Sequence, residues 1–303
     1  MHPLQQGERR CGMNAPSRPV LRWHGGKWLL APWIISHFPR HRIYVEPFGG
    51  AASVLLRKKT VFSEIYNDLD GEVVSLFRVL RNRAQAAELV RLLELTPFAR
   101  EEFDLSYEAT DCLIERARRL IVRSYMGFGS DSAHTSGTTG FRAQSPQSCR
   151  SPEKDWRNYP AKLSATIERL RDVVIENRPA TEIMSRHDSD ETLHYVDPPY
   201  LPETRSKKSR KGGASYHSYR FELTTGDHAD LLSYLRNLKG MVVLSGYPST
   251  LYNDSLAGWH RIERNAFADG AAKRIEVLWL NPVCFERLQR RALPLLHHLE
   301  AAE

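Results

Sequence analysis

No apolar run in the 303 residues approaches the ~20 that a membrane-spanning helix requires. The opening stretch, MHPLQQGERRCGMNAPSRP, lacks the apolar centre of a secretory signal. Cysteine is scarce, and Cys11, Cys112, Cys149 and Cys284 lie far apart with no C-x-x-C pair. That argues against a zinc cluster or a disulfide framework and fits a reducing compartment. The full G-x-G-x-x-G fingerprint of dinucleotide binding is also missing. Acidic residues are outnumbered, 36 against 43 Lys and Arg, for a net charge of +7, so a polyanionic partner is favoured. These absences leave a cytoplasmic globular protein with no membrane partner and no metal. At 41% hydrophobic, the chain can build one large α/β domain with an insertion, or two modest domains.

Two stretches alternate strand and helix signals. In the first, GKWLLAPWIISHFP places Leu30, Trp33, Ile34 and Phe38 at helical spacing, and Pro39 ends the helix. RIYVEP reads as a buried strand, FGGAASVLLRKK as a Gly-rich turn opening into a helix, and TVFSEIYND as the next strand, a unit that must be parallel and right-handed. The second runs from about Val173 to Arg290, with strands in VVIEN, LHYVD and MVVLSGY and a helix in HADLLSYLRNL. It closes in two alternating segments, WHRIERNAF and RIEVLWLN, that read as a β-hairpin. Between the two lie helices around AAELVRLLEL, REEFDLSYEA and DCLIERARRLIVRSYM, then a Gly/Ser/Thr-rich loop or hairpin, then helical AKLSATIERLRDV. The expected division is a disordered tail over 1–16, a catalytic domain over 17–80 and 172–290, an inserted domain over 81–171 and a second tail over 291–303.

Three constellations carry chemistry. In YVEPFGGAAS, the turn between strand and helix lets a ligand approach the backbone. Asp68 follows Gly49 by about twenty residues, the spacing at which an acid grips a ribose hydroxyl. Glu46 at the strand tip would repel a pyrophosphate, so the site suits an adenosine ligand bearing a cation. In RWHGGK, Trp23 can pack on a planar ligand and Lys27 can meet a carboxylate. Taken alone, each of these also describes an ordinary turn with solvated charges. The sharpest is VDPPY (196–200) at the end of a buried strand. Pro198 and Pro199 fix the turn and offer carbonyls without N–H donors. Asp197 accepts a hydrogen bond from an amino group, and Tyr200 gives a face on which a base can stack, worth roughly 1–3 kcal/mol. An acceptor pair beside a ring suits a planar ring bearing an exocyclic amine.

In this order, RWHGGK, VEPFGGAAS, YND and VDPPY resemble the motifs of the Dam-type (D12 class) DNA adenine methyltransferases, over about Val20 to Pro282. The resemblance implies an α/β fold: a Rossmann-like methyltransferase sheet, mostly parallel with an antiparallel final strand, and an inserted helical and loop-rich target-recognition domain. It implies S-adenosyl-L-methionine as methyl donor, with no metal, and an adenine flipped out of double-stranded DNA as acceptor. By position, Trp23, Lys27, Phe48, Gly50 and Asp68 match cofactor-contacting residues. Asp197, Pro198 and Tyr200 match the catalytic motif, with Asp197 also near the cofactor. The family loop often reads F-x-G-x-G, whereas Ala52 stands at the last glycine, where an added methyl would narrow the methionine site.

Basic residues fit a DNA partner. Arg205, Lys207, Lys208, Arg210 and Lys211 follow the catalytic strand and can clamp phosphates. Arg123, Arg142 and Arg150 flank the Gly/Ser-rich loop and can read base edges. No obligate protein partner is inferred. Three other readings stay open: a cytosine-N4 DNA methyltransferase, a methyltransferase for RNA or a protein amide, and a non-catalytic DNA-binding relative.

Overall fold

A computed structural model of the chain describes residues 15–129, 131–133, 139–143, 151–204, 220–267 and 273–290. The alternation of side chains along each strand sets the architecture. Tyr44, Tyr66, Leu193, Tyr195, Met241, Val243, Leu278 and Leu280 point to one side of the sheet. Val45, Ile65, Val196, Val242, Leu244, Val277 and Trp279 point to the other. A strand apolar on both faces must be covered on both, as central strands of a parallel sheet are.

Seven strands result: β1 (Ile43–Glu46), β2 (Ser63–Asn67), β3 (Val173–Glu176), β4 (Thr192–Val196), β5 (Met241–Gly246), β6 (His260–Phe267) and β7 (Lys273–Leu280). Their order is β3-β2-β1-β4-β5-β7-β6. The pairings among β1–β5 are parallel, while β7 runs antiparallel to both β5 and β6. The Rossmann-like sheet with a reversed final strand is therefore as expected. The chain builds outward from β1 through β2 to β3, then returns to lay β4 on the other side of β1. That reversal opens a crevice beyond the carboxyl ends of β1 and β4, where open α/β sheets bind ligands.

Helices Ala180–His187, Thr225–Leu235 and Thr250–Ser255 cover one face. The other carries Ala31–Ser36, Ser53–Arg57 and Gly71–Arg81. The first of these is shorter than the spacing of Leu30 to Phe38 predicts; Pro32 lies in its first turn, where a missing N–H costs nothing, and Pro39 disfavours helical backbone just before it. Sequence reading missed Gly71–Arg81, which buries Val73, Val74, Leu76, Phe77, Val79 and Leu80 and is capped by Asp70 accepting from Glu72 N.

The middle segment forms helices Arg83–Leu95, Arg100–Leu105, Leu113–Met126, Pro152–Arg157 and Leu163–Arg169. Its Phe103, Ile121, Tyr125, Trp156 and Tyr159 join the same apolar cluster as Tyr44 and Tyr66 of the sheet. The Gly-rich loop closes as a hairpin base: Gly127 pairs antiparallel with Phe141, and Phe128 N donates to Gly140 O at 2.9 Å.

Candidate active site

The crevice at the chain reversal is a cavity of about 300 Å3, at the small end of the range typical of small-molecule sites. Four segments bound it: the 23–27 turn, the turn after β1, the acids after β2, and the tetrapeptide after β4, with 220–223 at the lip. All of Trp23, Lys27, Glu46, Phe48, Gly50, Asp68, Asp197, Pro198, Pro199 and Tyr200 line it, so the fold gathers residues spread over nearly 180 positions.

Asp197 emerges where β4 stops. Its Oδ2 forms an ion pair with Lys27 Nζ at 2.9 Å, the lysine side chain being only 6% exposed. Lys27 Nζ also donates to Gly25 O at 2.8 Å and lies 4.6 Å from the centre of the Tyr200 ring, a cation–π distance. The other oxygen, Asp197 Oδ1, is shielded from solvent and has no hydrogen-bond partner among the described residues. A buried acceptor without a donor is costly, so this oxygen has capacity to accept a hydrogen bond.

The tetrapeptide's ring is equally constrained. Tyr200 is 9% exposed. Its hydroxyl donates to Glu276 Oε2 at 2.8 Å and lies 2.9 Å from Ser245 Oγ. A hydroxyl has one proton, so Ser245 is the donor in the second bond. Tyr247 packs edge-on against the ring, centroids 4.5 Å apart. Burial raises Glu276 above the ordinary carboxyl range, opposed by the nearby Lys27 ammonium.

The other half of the cavity is acidic. Glu46, 3% exposed, accepts from Tyr44 OH at 2.7 Å and from Leu55 N at 3.0 Å, capping the helix Ser53–Arg57. Burial pushes it up to about 8. The Asp68 oxygens accept from Gly50 N and Asp70 N, both at 2.8 Å. Desolvation raises Asp68 to about 6 although the residue keeps some exposed surface. A carboxylate has about four acceptor positions, so Asp68 retains room for hydroxyl donors. Asp70 joins Arg220 across the lip at 3.0 Å.

The glycine turn is shaped by neighbouring rings. A Cβ on Gly49 would stand 2.1 Å from the Tyr66 ring, and one on Gly50, whose φ is +47°, would stand 2.5 Å from Trp23 Nε1. Ala52 also takes a positive φ of 54°, a conformation that favours glycine. Its methyl is fully buried and does not line the cavity, which corrects the expectation that it narrows the ligand site.

Three contributors escaped the sequence reading. Asn67 ties the ends of β1 and β3 together, donating to Pro47 O at 2.9 Å and Arg178 O at 3.0 Å and accepting from Arg178 N at 2.9 Å. Ser245 and Glu276 read as ordinary strand residues. Only the odd acid in RIEVLWL hinted at a role for the latter.

The candidate DNA-binding residues divide. The Arg123 guanidinium turns inward: it donates to Ser106 O, lies 3.6 Å from Glu72 and is 13% exposed. These contacts hold the guanidinium against segments that neighbour the helix Leu113–Met126. Arg142 faces a second cavity with Arg18, Arg22, Lys154 and Asp155. Arg18 pairs with Asp155 at 3.0 Å there, leaving the cavity net positive. Arg150, Arg205, Lys207, Lys208, Arg210 and Lys211 lie outside the described residues. Among the described residues no cluster of His, Cys, Asp and Glu could hold a metal, and no helix is long and apolar enough to cross a membrane.

Known proteins are similar to this chain, some over most of its length and some over a shorter stretch. A model of the family described as D12 class N6 adenine-specific DNA methyltransferase matches residues 23–280. A DNA adenine methylase of Salmonella typhi is 26% identical over 279 residues, covering 85% of this chain and 92% of the relative. One of Escherichia coli (strain K12) is 27% identical over 233 residues, covering 70% and 74%. One of Vibrio cholerae is 37% identical over 70 residues, covering 23% and 24%.

Proposed function

This chain belongs to the D12 class of N6 adenine-specific DNA methyltransferases, and we propose that Asp197, Pro198, Pro199 and Tyr200 hold the adenine while Trp23, Lys27, Glu46, Phe48, Gly50 and Asp68 hold S-adenosyl-L-methionine. The observation that carries this reading is Asp197 Oδ1, a buried acceptor without a partner at the end of β4.

The pocket's own chemistry fits that cofactor. Its acids, Glu46, Asp68 and Asp197, suit a ligand with a positive sulfur and an ammonium group. The close approach of Gly50 to Trp23 leaves no room for a side chain between backbone and ring. When bound, the cofactor supplies a methyl carbon made electrophilic by the positively charged sulfur that carries it.

The remaining work belongs to the chain. Adenine must leave the duplex stack, at a cost of a few kcal/mol, and stacking against Tyr200 offsets roughly 1–3 kcal/mol of it. Lys27 holds Asp197 Oδ2, so Oδ1 stays aimed at the incoming amine. Asp197 Oδ1 and the Pro198 carbonyl then accept the two amine hydrogens, which draws the nitrogen lone pair out of ring conjugation. Oδ1 is also the acceptor in place for the proton that the amine gives up. Pro198 and Pro199 keep the two acceptors in register, and such positioning supplies most of the rate in a transfer of this kind. Around this centre, Arg142 and the basic residues 205–211 are proposed to meet the phosphates of double-stranded DNA.

The test is methyl transfer from labelled S-adenosyl-L-methionine to unmethylated bacterial DNA, digested to nucleosides and identified by mass spectrometry. N6-methyladenine that disappears in Asp197→Ala is the expected result. Methylcytosine, or tight DNA binding without any methylated base, would overturn the assignment of these residues.

A further inference from the structure

We propose that Glu276 is a positioning residue for methyl transfer, fixing the Tyr200 ring through its hydroxyl. The inference rests on the reading of Asp197 and Tyr200 as the pair that holds the adenine.

Glu276 is out of place by the rules of its strand. On β7 it shares a face with Leu278 and Leu280, both fully buried, and is itself 7% exposed. A carboxyl group in such a run is expensive to bury, and an apolar residue would serve the sheet as well or better. What it touches explains its presence. The Tyr200 hydroxyl donates to Oε2 at 2.8 Å, and Ser245 on β5 supplies the second bond to the same hydroxyl at 2.9 Å.

The consequence is a ring held at both ends. At its backbone end the two prolines leave little freedom. At its far end the hydroxyl is tied to two strands, β5 and β7, which pair antiparallel with Gly246 opposite Val277. Without the far anchor, Tyr200 loses the directional hold on its hydroxyl end and keeps the packing of neighbours such as Lys27 and Tyr247. The anchor thus transmits the rigidity of the reversed final strand to the face against which a base is held. A base displaced by about 1 Å can cost a hundred-fold in rate.

The experiment compares Glu276→Ala, Glu276→Gln, Tyr200→Phe and the double variant Tyr200→Phe/Glu276→Ala in the full chain. Methylation rate is measured with cofactor affinity, thermal unfolding, and fluorescence of a duplex carrying 2-aminopurine at the target base. Losing a hydrogen bond to a charged group predicts a kcat about ten- to a hundred-fold lower in Glu276→Ala, with weaker 2-aminopurine quenching and little change in cofactor affinity. Glu276→Gln still accepts the hydroxyl and should recover most of the loss. In the Tyr200→Phe background the anchor is already gone, so Glu276→Ala should add less than about threefold. A wild-type rate in Glu276→Ala, or the same loss with and without the Tyr200 hydroxyl, overturns the proposal. If Glu276→Ala does not fold, Tyr200→Phe decides alone, since a wild-type rate there overturns it too. Failure of the parent reading looks different: Asp197→Ala would then keep its activity.

Discussion

The two oxygens of Asp197 have different surroundings, and the proposed role of the residue turns on that difference. Oδ2 is bound to Lys27 and Oδ1 is open. Asp197→Asn keeps the shape but turns one acceptor into a donor, so kcat should fall at least about a hundred-fold, comparable to removing a transition-state hydrogen bond. Steady-state kinetics with DNA and cofactor at saturation checks this, and a loss confined to KM would contradict it. Glu46 gives a prediction in protons. Burial raises it from 4.5 to about 8, so between those values the unfolded chain gives up a proton that the folded pocket keeps. Its contribution to stability is complete below pH 4.5 and is lost as pH rises through about 8. A cation beside it favours the ionised form, so cofactor binding near pH 7 should release a proton from wild type. Calorimetry in buffers of different ionisation enthalpy should find that release reduced in Glu46→Gln; equal proton counts would remove Glu46 from the cofactor's neighbourhood.

The turn between β1 and the helix Ser53–Arg57 shows how packing ranks similar residues. Gly49 and Gly50 are each closed in by a ring, Tyr66 and Trp23. Gly50→Ala adds left-handed strain, about 1–2 kcal/mol, to a displaced Trp23, so cofactor affinity should drop together with stability. Ala52 already bears that strain at φ 54°. Replacing it by glycine relieves about 1–2 kcal/mol. The same change loses about 0.8 kcal/mol of methyl burial and about 0.4–1 kcal/mol through the freer unfolded chain. The terms nearly cancel, so Ala52→Gly should shift the urea midpoint little. A large shift of either sign would mean that one of these contributions has been misjudged.

Taken whole, the molecule joins its middle segment to the sheet through one apolar cluster, so the proposed 81–171 target-recognition segment shares a core with the catalytic elements. Its Arg142 opens on the same cavity as Arg18 and Arg22, and Arg22 directly precedes Trp23 of the proposed cofactor site. We propose that this basic cleft, so close in the chain to the proposed methyl-transfer pocket, takes DNA phosphates. Arg142→Ala/Lys154→Ala should weaken DNA binding across sequences and flatten its salt dependence by about 0.9 in the log–log slope for each phosphate that the variant no longer neutralises. An unaltered slope in a salt titration would take both residues out of the DNA interface.

Much of this was legible in the chain itself, because strands and turns are local. The short buried runs IYVE, LHYV and VVLS, the alternating hairpin at the end and the stiff DPPY corner need only nearest neighbours to be read. Many of the residues lining the pocket were legible for the same reason: those after β1, β2 and β4 follow strands whose ends are marked by glycine, proline or an acid, and Trp23 and Lys27 flank a Gly-Gly turn. Pairings across the sheet were not. Nothing local distinguishes Arg142, which lines the second cavity, from Arg123, which helix packing turns toward Ser106 and Glu72. Nor does a lone acid in RIEVLWL announce that it meets the Tyr200 hydroxyl from 76 positions away. Such pairings come into being only when β5, β7 and the end of β4 are brought side by side, and burial then makes each unpaired polar atom costly enough to fix its partner.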